Sequence, residues 1–536
     1  MFDHLSLRQT FNRSLLSTIM LIAVSQFNFG FDQQGFNTTQ AMDAFERQFG
    51  WYDSKKEVYY LESWWLSLFA GLPYIGFGIG IIIGSSVSKH YGRRMCMFSM
   101  SVWSCIATTI IMTSKTRNQI LAARILAYIY IGMELAVVPI YQSEITPQKA
   151  RGFVVGTYQL SLAIGSLVVN AVARGTGSLN SSAAYLIPYS LFYVVPLIVI
   201  AGIWFVPEVS RATSFNCQRP KLTYPVYVQS PRWLAMKGRH EDALAALTRL
   251  REGKFTPEQI ADEMTRIRAG IEREVERGSF LDMFRGKQVT KRTMSVIGVN
   301  FFLQATGSIF ASVYGAIFVK QLGFINPFSV TMITSSINVI MCLCSMVLLD
   351  KMGRRNVIFF GGSIQTAGLF AMGGLGLAPD PSVPVKSAIV AMMIVMTMGF
   401  TLAWAPTSHV LSAEIPSIRL RDVTYRTASV VNIVMQFTIA FSMPYLLNAP
   451  YANLGSRVGL IFGSIAFLSL VFVYLCVPEC KGRTLEEIDL LFDMKVPMRH
   501  FQKTDLSRVR VHAGNGKTDE ESVSELAVPV QIQRKD

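Results

Sequence analysis

Twelve apolar stretches of membrane-crossing length determine what this chain can fold into. A helix needs roughly 20 mainly apolar residues to cross the hydrocarbon core of a bilayer, and the 536-residue chain has room for about a dozen such helices. The sequence predicts spans at 15–34, 62–86, 95–114, 119–142, 152–173, 185–206, 293–318, 328–349, 356–377, 387–411, 424–446 and 457–477. These form two groups of six, so an all-α, multi-pass membrane protein is expected.

The composition agrees with this fold class. Apolar residues make up 51% of the chain and charged residues 16%, whereas soluble proteins carry about 25% charged residues. The net charge of +15 does not indicate a nucleic-acid partner, because the basic residues lie mostly in short loops, where they set membrane topology. The seven cysteines have no regular spacing, so neither a disulfide framework nor a zinc site is predicted, and no cofactor or metal is expected.

The distribution of lysine and arginine predicts the orientation. The loops between spans 2 and 3, 4 and 5, 8 and 9, and 10 and 11 are the basic ones, which places both termini and the central segment in the cytoplasm. The glycosylation triplets at Asn37 and Asn180 then fall in outer loops. No cleavable signal peptide is evident at the first apolar stretch. The plasma membrane is the expected location.

The polar regions divide the chain into units. A cytoplasmic N-terminus at 1–14 precedes the first bundle at 15–208, and the second bundle at 293–478 precedes a cytoplasmic tail at 479–536. Between the bundles, amphipathic helical patterns at 241–253 and 257–278 predict a cytoplasmic helical linker over 230–292. The tail after about 495 has no periodicity, which favours disorder.

The two groups of spans repeat the same loop motifs. GSSVSKHYGRR after span 2 corresponds to MVLLDKMGRR after span 8, YQSEITPQKARG after span 4 to LSAEIPSIRLRD after span 10, and FVPE at the end of span 6 to CVPE at the end of span 12. Similar halves that bind substrate between them are typical of two-domain secondary transporters. The repeat therefore predicts a carrier.

The repeated loop residues suit a gate on the cytoplasmic side. Glu144 lies seven residues before Arg151, Glu414 lies seven before Arg421, and a Gly-Arg-Arg turn sits one hairpin away in each half. Arginine pairs bidentately with carboxylates, so such clusters can hold that side shut and release it. The alternative is simple positive-inside anchoring. The candidate gating residues are Arg93, Arg94, Glu144, Arg151, Glu208, Asp350, Arg354, Arg355, Glu414, Arg421 and Glu479.

Two charged residues of span 4 need a separate explanation. Arg124 begins the span and Glu134 lies inside it. A charge in the hydrocarbon core indicates a functional site unless it reaches the headgroups. From its position alone, Arg124 could belong to a functional site or could reach the headgroups.

These residues carry a close resemblance to the sugar-porter branch of the major facilitator superfamily, in its fungal form. The matching stretches cover nearly the whole chain. They are Gly30-Phe-Asp32, Gly92-Arg93-Arg94, Arg124 with Pro139-Ile-Tyr141 and SEITPQKARG, Gln159-Leu with Gly165, Pro207-Glu208, Ser230-Pro-Arg-Trp-Leu, Gln304-Ala-Thr-Gly307, DKMGRR at 350–355, Ala413-Glu414-Ile415 and PECKGRTLEEID at 478–489. Their order and spacing are specific for the family but not for a substrate.

The resemblance implies a major facilitator fold and movement of a sugar by alternating access, often coupled to protons. It implies sugar contacts at Gln159, Gln304, Asn338 and Asn432, whose amides can both donate to and accept from hydroxyl groups. It also implies that Asp32 carries the proton with Arg124 as its partner. A permanently paired structural anion is the alternative for Asp32, and hydrogen bonding between helices is the alternative for the amides.

Several positions depart from the family pattern. The paired glutamines of span 7 are reduced to Leu303-Gln304, an asparagine is replaced by Ile309, and a tryptophan of span 10 is replaced by His409, which stays a candidate substrate contact. These changes remove groups that would bind a hexose ring, so a disaccharide or another hydroxylated compound is as well supported as glucose. Lys89 replaces the acid of the loop between spans 2 and 3, while its counterpart Asp350 remains, which should weaken one half of the gate.

Residues 209–229 interrupt the family pattern between Glu208 and Ser230. Removing them restores the pattern, and their codons can contain intron donor, branch and acceptor sequences. They are interpreted as an unspliced intron or as a genuine cytosolic loop, and sequencing the transcript would distinguish the two.

The function predicted from the sequence is proton-coupled import of a sugar or glucoside by a monomer in the lipid bilayer. A carrier, possible in either direction, for a polyol, a sugar acid or a fungal metabolite is the alternative. A non-transporting sugar receptor is a third hypothesis, although such receptors are expected to have a longer tail. No nucleophile–base pair or phosphate-binding loop indicates an enzyme.

Overall fold

The computed structural model describes residues 13–54, 57–205, 230–251, 254–273, 280–483, 485–494 and 496–504. Glu208 and the stretch 209–229 lie outside these residues, as do the side chains of Arg151 and Asp350. The predictions for them therefore stay predictions.

The described residues form two groups of six spans, which confirms the predicted fold class. Spans 1 to 6 are Arg13–Thr39, Ser63–Gly71 with Pro73–Tyr91, Arg93–Thr113, Arg117–Ile145, Gln148–Thr176, and Ala183–Ser190 with Val194–Phe205. Spans 7 to 12 are Lys287–Ala305 with Ser308–Val313 and Gly315–Leu322, Pro327–Met352, Arg354–Leu375, Val383–Glu414, Arg421–Leu447 and Val458–Cys476. In the part of the chain that the structure describes, eleven helices are long and apolar enough to cross a membrane. Span 5, with 29 residues, completes the set.

Span 7 is not the continuous helix that the sequence predicts. It is interrupted after Ala305 and again at Tyr314. Gly307 has a φ of +85° and faces the ring of Phe462, 2.7 Å from the place where a Cβ atom would lie. Only glycine fits this left-handed, crowded position. The break frees the carbonyl of Thr306, which accepts a hydrogen bond of 3.1 Å from Gln365 Nε2.

The linker contains the two predicted helices, at His240–Arg251 and Pro257–Arg273, and a further short helix at Pro231–Met236. They share a small core of Trp233, Leu234, Ala243, Ala246, Leu247, Ile260 and Met264. The linker docks on the first bundle, because Trp233 Nε1 donates to Lys89 O at 3.2 Å and Arg251 Nη1 donates to Ile145 O at 2.9 Å. We call the side of the membrane that carries this linker the inner side.

The beginning of the tail is ordered, so the predicted disorder after about 495 is wrong for residues 496–504. A helix spans Leu485–Asp493, and a 3-10 helix spans Met498–Lys503. Phe501 is fully buried, with its ring centroid 4.9 Å from that of Phe492. Arg292 of span 7 pairs with Asp489 and fixes this helix to the second bundle.

The loop between spans 1 and 2 forms a small cap on the opposite, outer side. A helix spans Asp43–Phe49, and strands Trp51–Asp53 and Val58–Tyr60 form an antiparallel hairpin in which Trp51 lies opposite Tyr60. The sequence did not indicate this cap. The hairpin is a small exception to an otherwise helical fold.

Candidate functional site

A buried ion pair joins spans 1 and 4. Arg124 Nη1 lies 2.9 Å from Asp32 Oδ1, and the side chains of Arg124 and Asp32 are 1% and 6% exposed. The guanidinium also lies 4.0 Å from the ring centroid of Phe36 and 4.9 Å from that of Tyr128, in the range of cation–π attraction. Arg124 therefore does not reach the headgroups. It neutralises an acid inside the bundle.

Close packing of spans 1 and 5 holds Asp32 in place. A Cβ atom on Gly30 would lie 2.0 Å from Leu162 O, and one on Gly165 would lie 2.1 Å from Phe27 O. Neither position can carry a side chain without separating the helices. The glycines of the family motifs thus set the position of the neighbouring acid.

The amides predicted to contact sugar lie mainly in the second half. Gln304 Nε2 donates to Asn432 Oδ1 at 3.3 Å, which brings spans 7 and 11 together. Thr401 Oγ1 donates to Asn338 Oδ1 at 3.1 Å. Gln159 and His409 are half-buried, on spans 5 and 10. Of the five candidates, the structure joins Gln304 and Asn432 directly.

A further polar contact was missed by the sequence reasoning. Asn300 lies one helical turn before Gln304 and donates through Nδ2 to Ser412 Oγ of span 10 at 2.7 Å. The sequence could have indicated Asn300 through its spacing, because residues four apart lie on the same face of a helix.

The predicted gating residues form equivalent ion pairs in the two halves. Arg93 binds Glu144 with distances of 3.0 and 2.9 Å, and Arg354 binds Glu414 with distances of 3.2 and 2.9 Å. Both pairs are bidentate, as the sequence predicts for arginine and carboxylate. The partners come from the Gly-Arg-Arg turns, and Arg421 acts on Glu414 electrostatically.

Three further gating candidates, Arg94, Arg355 and Glu479, fix helix ends within each half. Arg94 donates to Ile203 O of span 6 at 2.5 Å, and Arg355 donates to Tyr474 O of span 12 at 2.8 Å. The carboxylate of Glu479 accepts from the backbone N–H groups of Arg354 and Arg355, both at 3.0 Å. A carboxylate at a helix N-terminus is stabilised by the helix dipole. These contacts tie the inner ends of spans 6, 9 and 12 to their own bundle.

The two halves contact each other on the outer side. Lys320 at the outer end of span 7 binds Asp43 and Glu46 of the cap at 2.6 and 2.7 Å. Burial raises the pKa of Glu46, and Lys320 partly offsets this rise. Deeper in, Asn170 of span 5 donates to Ser335 of span 8 at 2.7 Å. The structure therefore has its outer side held closed by contacts between the halves.

One glycosylation prediction is wrong. Asn37 lies in the last turn of span 1 rather than in a loop and is only 6% exposed. Its neighbour Thr38 is fully buried and donates to Asn170 Oδ1 at 2.6 Å. A glycan there would need this packing to open. Asn180 is exposed between spans 5 and 6, so its modification stays a prediction.

Comparisons with known proteins agree on the family. The sequence profile described as "Sugar (and other) transporter" matches residues 18–212 and 224–492. The high glucose sensor RGT2 of Saccharomyces cerevisiae is 28% identical over 483 residues, which cover 88% of this chain and 60% of that protein. The high-affinity glucose transporter ght2 of Schizosaccharomyces pombe is 28% identical over 486 residues, 88% of this chain and 87% of that protein. The major facilitator-type transporter ecdD of Aspergillus rugulosus is 27% identical over 517 residues, 93% and 91% of the two chains.

Solved structures share the fold. The proton:xylose symporter XylE bound to 6-bromo-6-deoxy-D-glucose superimposes with a TM-score of 0.68 at 20% identity, over 89% of this chain and 99% of that chain. The inward open conformation of XylE from E. coli gives a TM-score of 0.69 at 18% identity, with the same coverage. At this identity the likeness concerns the fold alone.

Proposed function

Because the chain belongs to the sugar transporter family, we propose that it carries a sugar or sugar-like compound across a membrane by alternating access, coupled to protons. The single observation that supports the coupling is the buried pair of Asp32 and Arg124. Burying a charge pair in this position costs desolvation energy. Apolar side chains could hold the two helices together without that cost, so the pair favours a functional role.

The proposed proton step uses the balance of charge at this pair. As a carboxylate, Asp32 is attracted to Arg124. Protonation removes that attraction and leaves the arginine without a counter-charge, so spans 1 and 4 can separate. Proton binding then favours the conformation in which the pair is open, and proton loss favours the one described here. A ligand shifts a two-state equilibrium only through such a difference in affinity.

The proposed substrate site lies between the halves, on the amides of spans 5, 7, 8 and 11. Gln304 donates one hydrogen bond to Asn432 in this structure, and a hydroxyl group of a sugar can replace that bond, because it can both donate and accept. Ile309 and His409 stand where the family has hydrogen-bonding and aromatic groups. A disaccharide or a polyol is therefore proposed beside glucose, with equal support. Export is open as well as import.

A sugar receptor is the second candidate function. The observation that favours it is the similarity to the high glucose sensor of Saccharomyces cerevisiae. A receptor would bind sugar and change conformation without net flux. The presence of flux therefore distinguishes a carrier from a receptor.

Uptake measurements test the proposal. Transporter-deficient cells that express the chain would receive radiolabelled glucose, xylose, maltose and sorbitol, with and without a protonophore. A coupled carrier accumulates at least one of them, and the protonophore abolishes accumulation. Entry of none would contradict transport of these sugars. Entry without accumulation, or full accumulation with the protonophore or in Asp32→Asn, would contradict the coupling. Gln321→Ala, at an exposed amide outside the proposed sites, is the control.

A further inference from the structure

Glu134 of span 4 is a buried acid that the proposed mechanism does not use. It is 0% exposed, and its carboxylate oxygens make no hydrogen bond of standard geometry to a described residue. The hydroxyl group of Tyr130, one turn before it, is the polar group that interacts with it. An ionised carboxylate that is buried without a partner is so costly that it takes up a proton instead. The environment therefore favours the neutral acid in this conformation.

The groups around Glu134 come from three spans of the first half. Tyr130, one turn before it, donates through its hydroxyl to Ser25 O of span 1 at 3.3 Å. Tyr130 also has a hydrogen-bonding interaction with the side chain of Asn28 and an electrostatic interaction with Glu134, and Glu134 acts on Tyr158 of span 5. These two tyrosines are the titratable groups that face the acid from spans 4 and 5.

The charged groups of the other neighbouring spans are engaged elsewhere. Asp32 of span 1 is paired with Arg124. Spans 2 and 3 also pack on span 4. Lys89 and His90 lie in the last turn of span 2, at the inner end, and Tyr74 lies at its outer end. Arg93 and Arg94 of span 3 bind Glu144 and Ile203 O at the inner end. Among the described residues, Glu134 thus has tyrosines rather than a cation in its electrostatic surroundings.

Polar side chains continue from the ion pair past Glu134. Asp32 contacts Arg124, and the backbone of Ser25 contacts Tyr130, so the two antiparallel spans run side by side over this length. Glu134 then lies ten residues beyond Arg124, about 15 Å nearer the inner side. We define the polar column as five buried groups of spans 1, 4 and 5, each with a side-chain atom that makes no hydrogen bond of standard geometry to a described residue: Ser25, Asn28, Glu134, Gln142 and Tyr158.

A column of this kind is unusual inside a bundle. Buried polar groups are nearly always paired, and where protein partners are missing, ordered water supplies the bonds. Hydroxyl groups, carboxyl groups and water can all pass protons. The column leads from the proposed proton carrier toward the inner end of span 4, where Gln142 is fully buried.

We infer that Glu134 is a second proton-binding group of this carrier, which receives the proton from Asp32 and releases it on the inner side. In the transfer, the Asp32 carboxyl group loses its proton and becomes the carboxylate that pairs with Arg124. The Glu134 carboxylate gains the proton and becomes the neutral acid. The structure has the arrangement expected after this step, with Asp32 paired and Glu134 without a cation. The inference rests on the proposed function.

The test uses the full chain in proteoliposomes with labelled glucose, xylose and maltose. Exchange of sugar across the membrane needs no net proton movement, whereas accumulation does. A gradient of one pH unit supports roughly tenfold accumulation for each coupled proton. We expect Glu134→Gln to lose this accumulation, whereas its rate of sugar exchange should fall much less and should no longer depend on the internal pH.

Two further variants complete the test. Glu134→Asp keeps a carboxyl group and should recover accumulation. Ser345→Ala is the control, because Ser345 is a buried hydroxyl group outside the polar column that also lacks a partner among the described residues.

Two outcomes would overturn the inference. One is unchanged accumulation and pH dependence in Glu134→Gln. The other is an equal loss of exchange and accumulation, which indicates a structural role.

Infrared spectroscopy of the purified protein tests the proton site without transport. A protonated carboxyl band should be present in the wild type, persist in Asp32→Asn and disappear in Glu134→Gln. Its persistence in Glu134→Gln would contradict the inference. If the wild type exchanges none of the sugars but shows the band, the proposed function fails and the proton site stands.

Discussion

The two halves of the molecule share a fold and an inner gate but differ in their interior chemistry. In the first half, Arg124 lies twenty residues before Glu144 and Glu134 lies ten before it. At the same distances from Glu414, the second half has Ile394 and Trp404. Trp404 is fully buried. The repeat therefore carries charge in one half and an apolar interior at the equivalent places of the other.

The difference suggests a division of labour. The proposed proton groups lie on spans 1 and 4, whereas the bonded amides Gln304 and Asn432 lie on spans 7 and 11. Span 7, the counterpart of span 1, is broken at Gly307. The first half is suited to holding a charge in a tightly packed bundle. The second half is suited to offering polar side chains and free backbone groups to a substrate.

The largest effect is expected at the ion pair. Arg124→Met leaves the Asp32 carboxylate buried without its cation, which should destabilise the fold by about 3–5 kcal/mol. The double variant Asp32→Asn with Arg124→Met should be less destabilised than Arg124→Met alone, because no charge is left unpaired. Thermal unfolding of the purified variants measures both. If the double variant is as destabilised as Arg124→Met, or if its loss of stability equals the sum of the losses in the two single variants, the two residues do not act as a pair.

The inner ion pairs test whether the halves are equivalent at the gate. Glu144→Gln and Glu414→Gln each remove a bidentate, charge-assisted contact, at an expected cost of roughly 1.5–3 kcal/mol. The first should cost more, because Arg93 and Glu144 are 11% and 6% exposed whereas Arg354 and Glu414 are 19% and 23% exposed. Unfolding midpoints of the two variants check this order. The reverse order would show that burial does not set the strength of these contacts.

The amides test the proposed separation of sugar and proton binding. Gln304→Ala should weaken sugar binding roughly tenfold by removing about one hydrogen bond, without changing the accumulation ratio at saturating sugar. The sugar concentration at half-saturation reports sugar binding, and the accumulation ratio reports proton coupling. Both are measured on the same cells. Gln321→Ala, on the outer surface, is the control. A loss of proton coupling in Gln304→Ala would contradict the proposed separation of proton binding in the first half from sugar binding in the second half.

The smallest effect is expected at the outer contact of Glu46 with Lys320. Burial raises the pKa of Glu46 above its ordinary value of 4.5, partly offset by Lys320. The folded state therefore binds this proton more tightly than the unfolded state. The resulting stabilisation is complete below pH 4.5 and is lost as the pH rises through the raised value. Glu46→Gln should flatten the pH dependence of unfolding in that acidic window, and an unchanged slope would contradict the assignment.

Sequence reasoning predicted what depends on composition and periodicity. The twelve spans, the linker helices and the repeated arginine and glutamate residues follow from local patterns. The contact of Asp32 with Arg124 came from the family resemblance, because no local pattern links residues 92 positions apart.

The features that were missed depend on tertiary contacts. The last turn of span 1 buries Asn37 through the bond of Thr38 to Asn170, and the tail is ordered because Phe501 packs on Phe492. Neither of these pairings leaves a signal within the segment concerned.

The central claim is that sugar transport is coupled to protons that bind at Asp32. It is tested most directly by recording proton flux during sugar entry. Purified chain in proteoliposomes with a pH-sensitive dye inside would be given glucose, xylose or maltose without an imposed gradient. The account predicts internal acidification with a transported sugar, and sugar entry without acidification in Asp32→Asn. Acidification in Asp32→Asn, or sugar entry without acidification in the wild type, would contradict it.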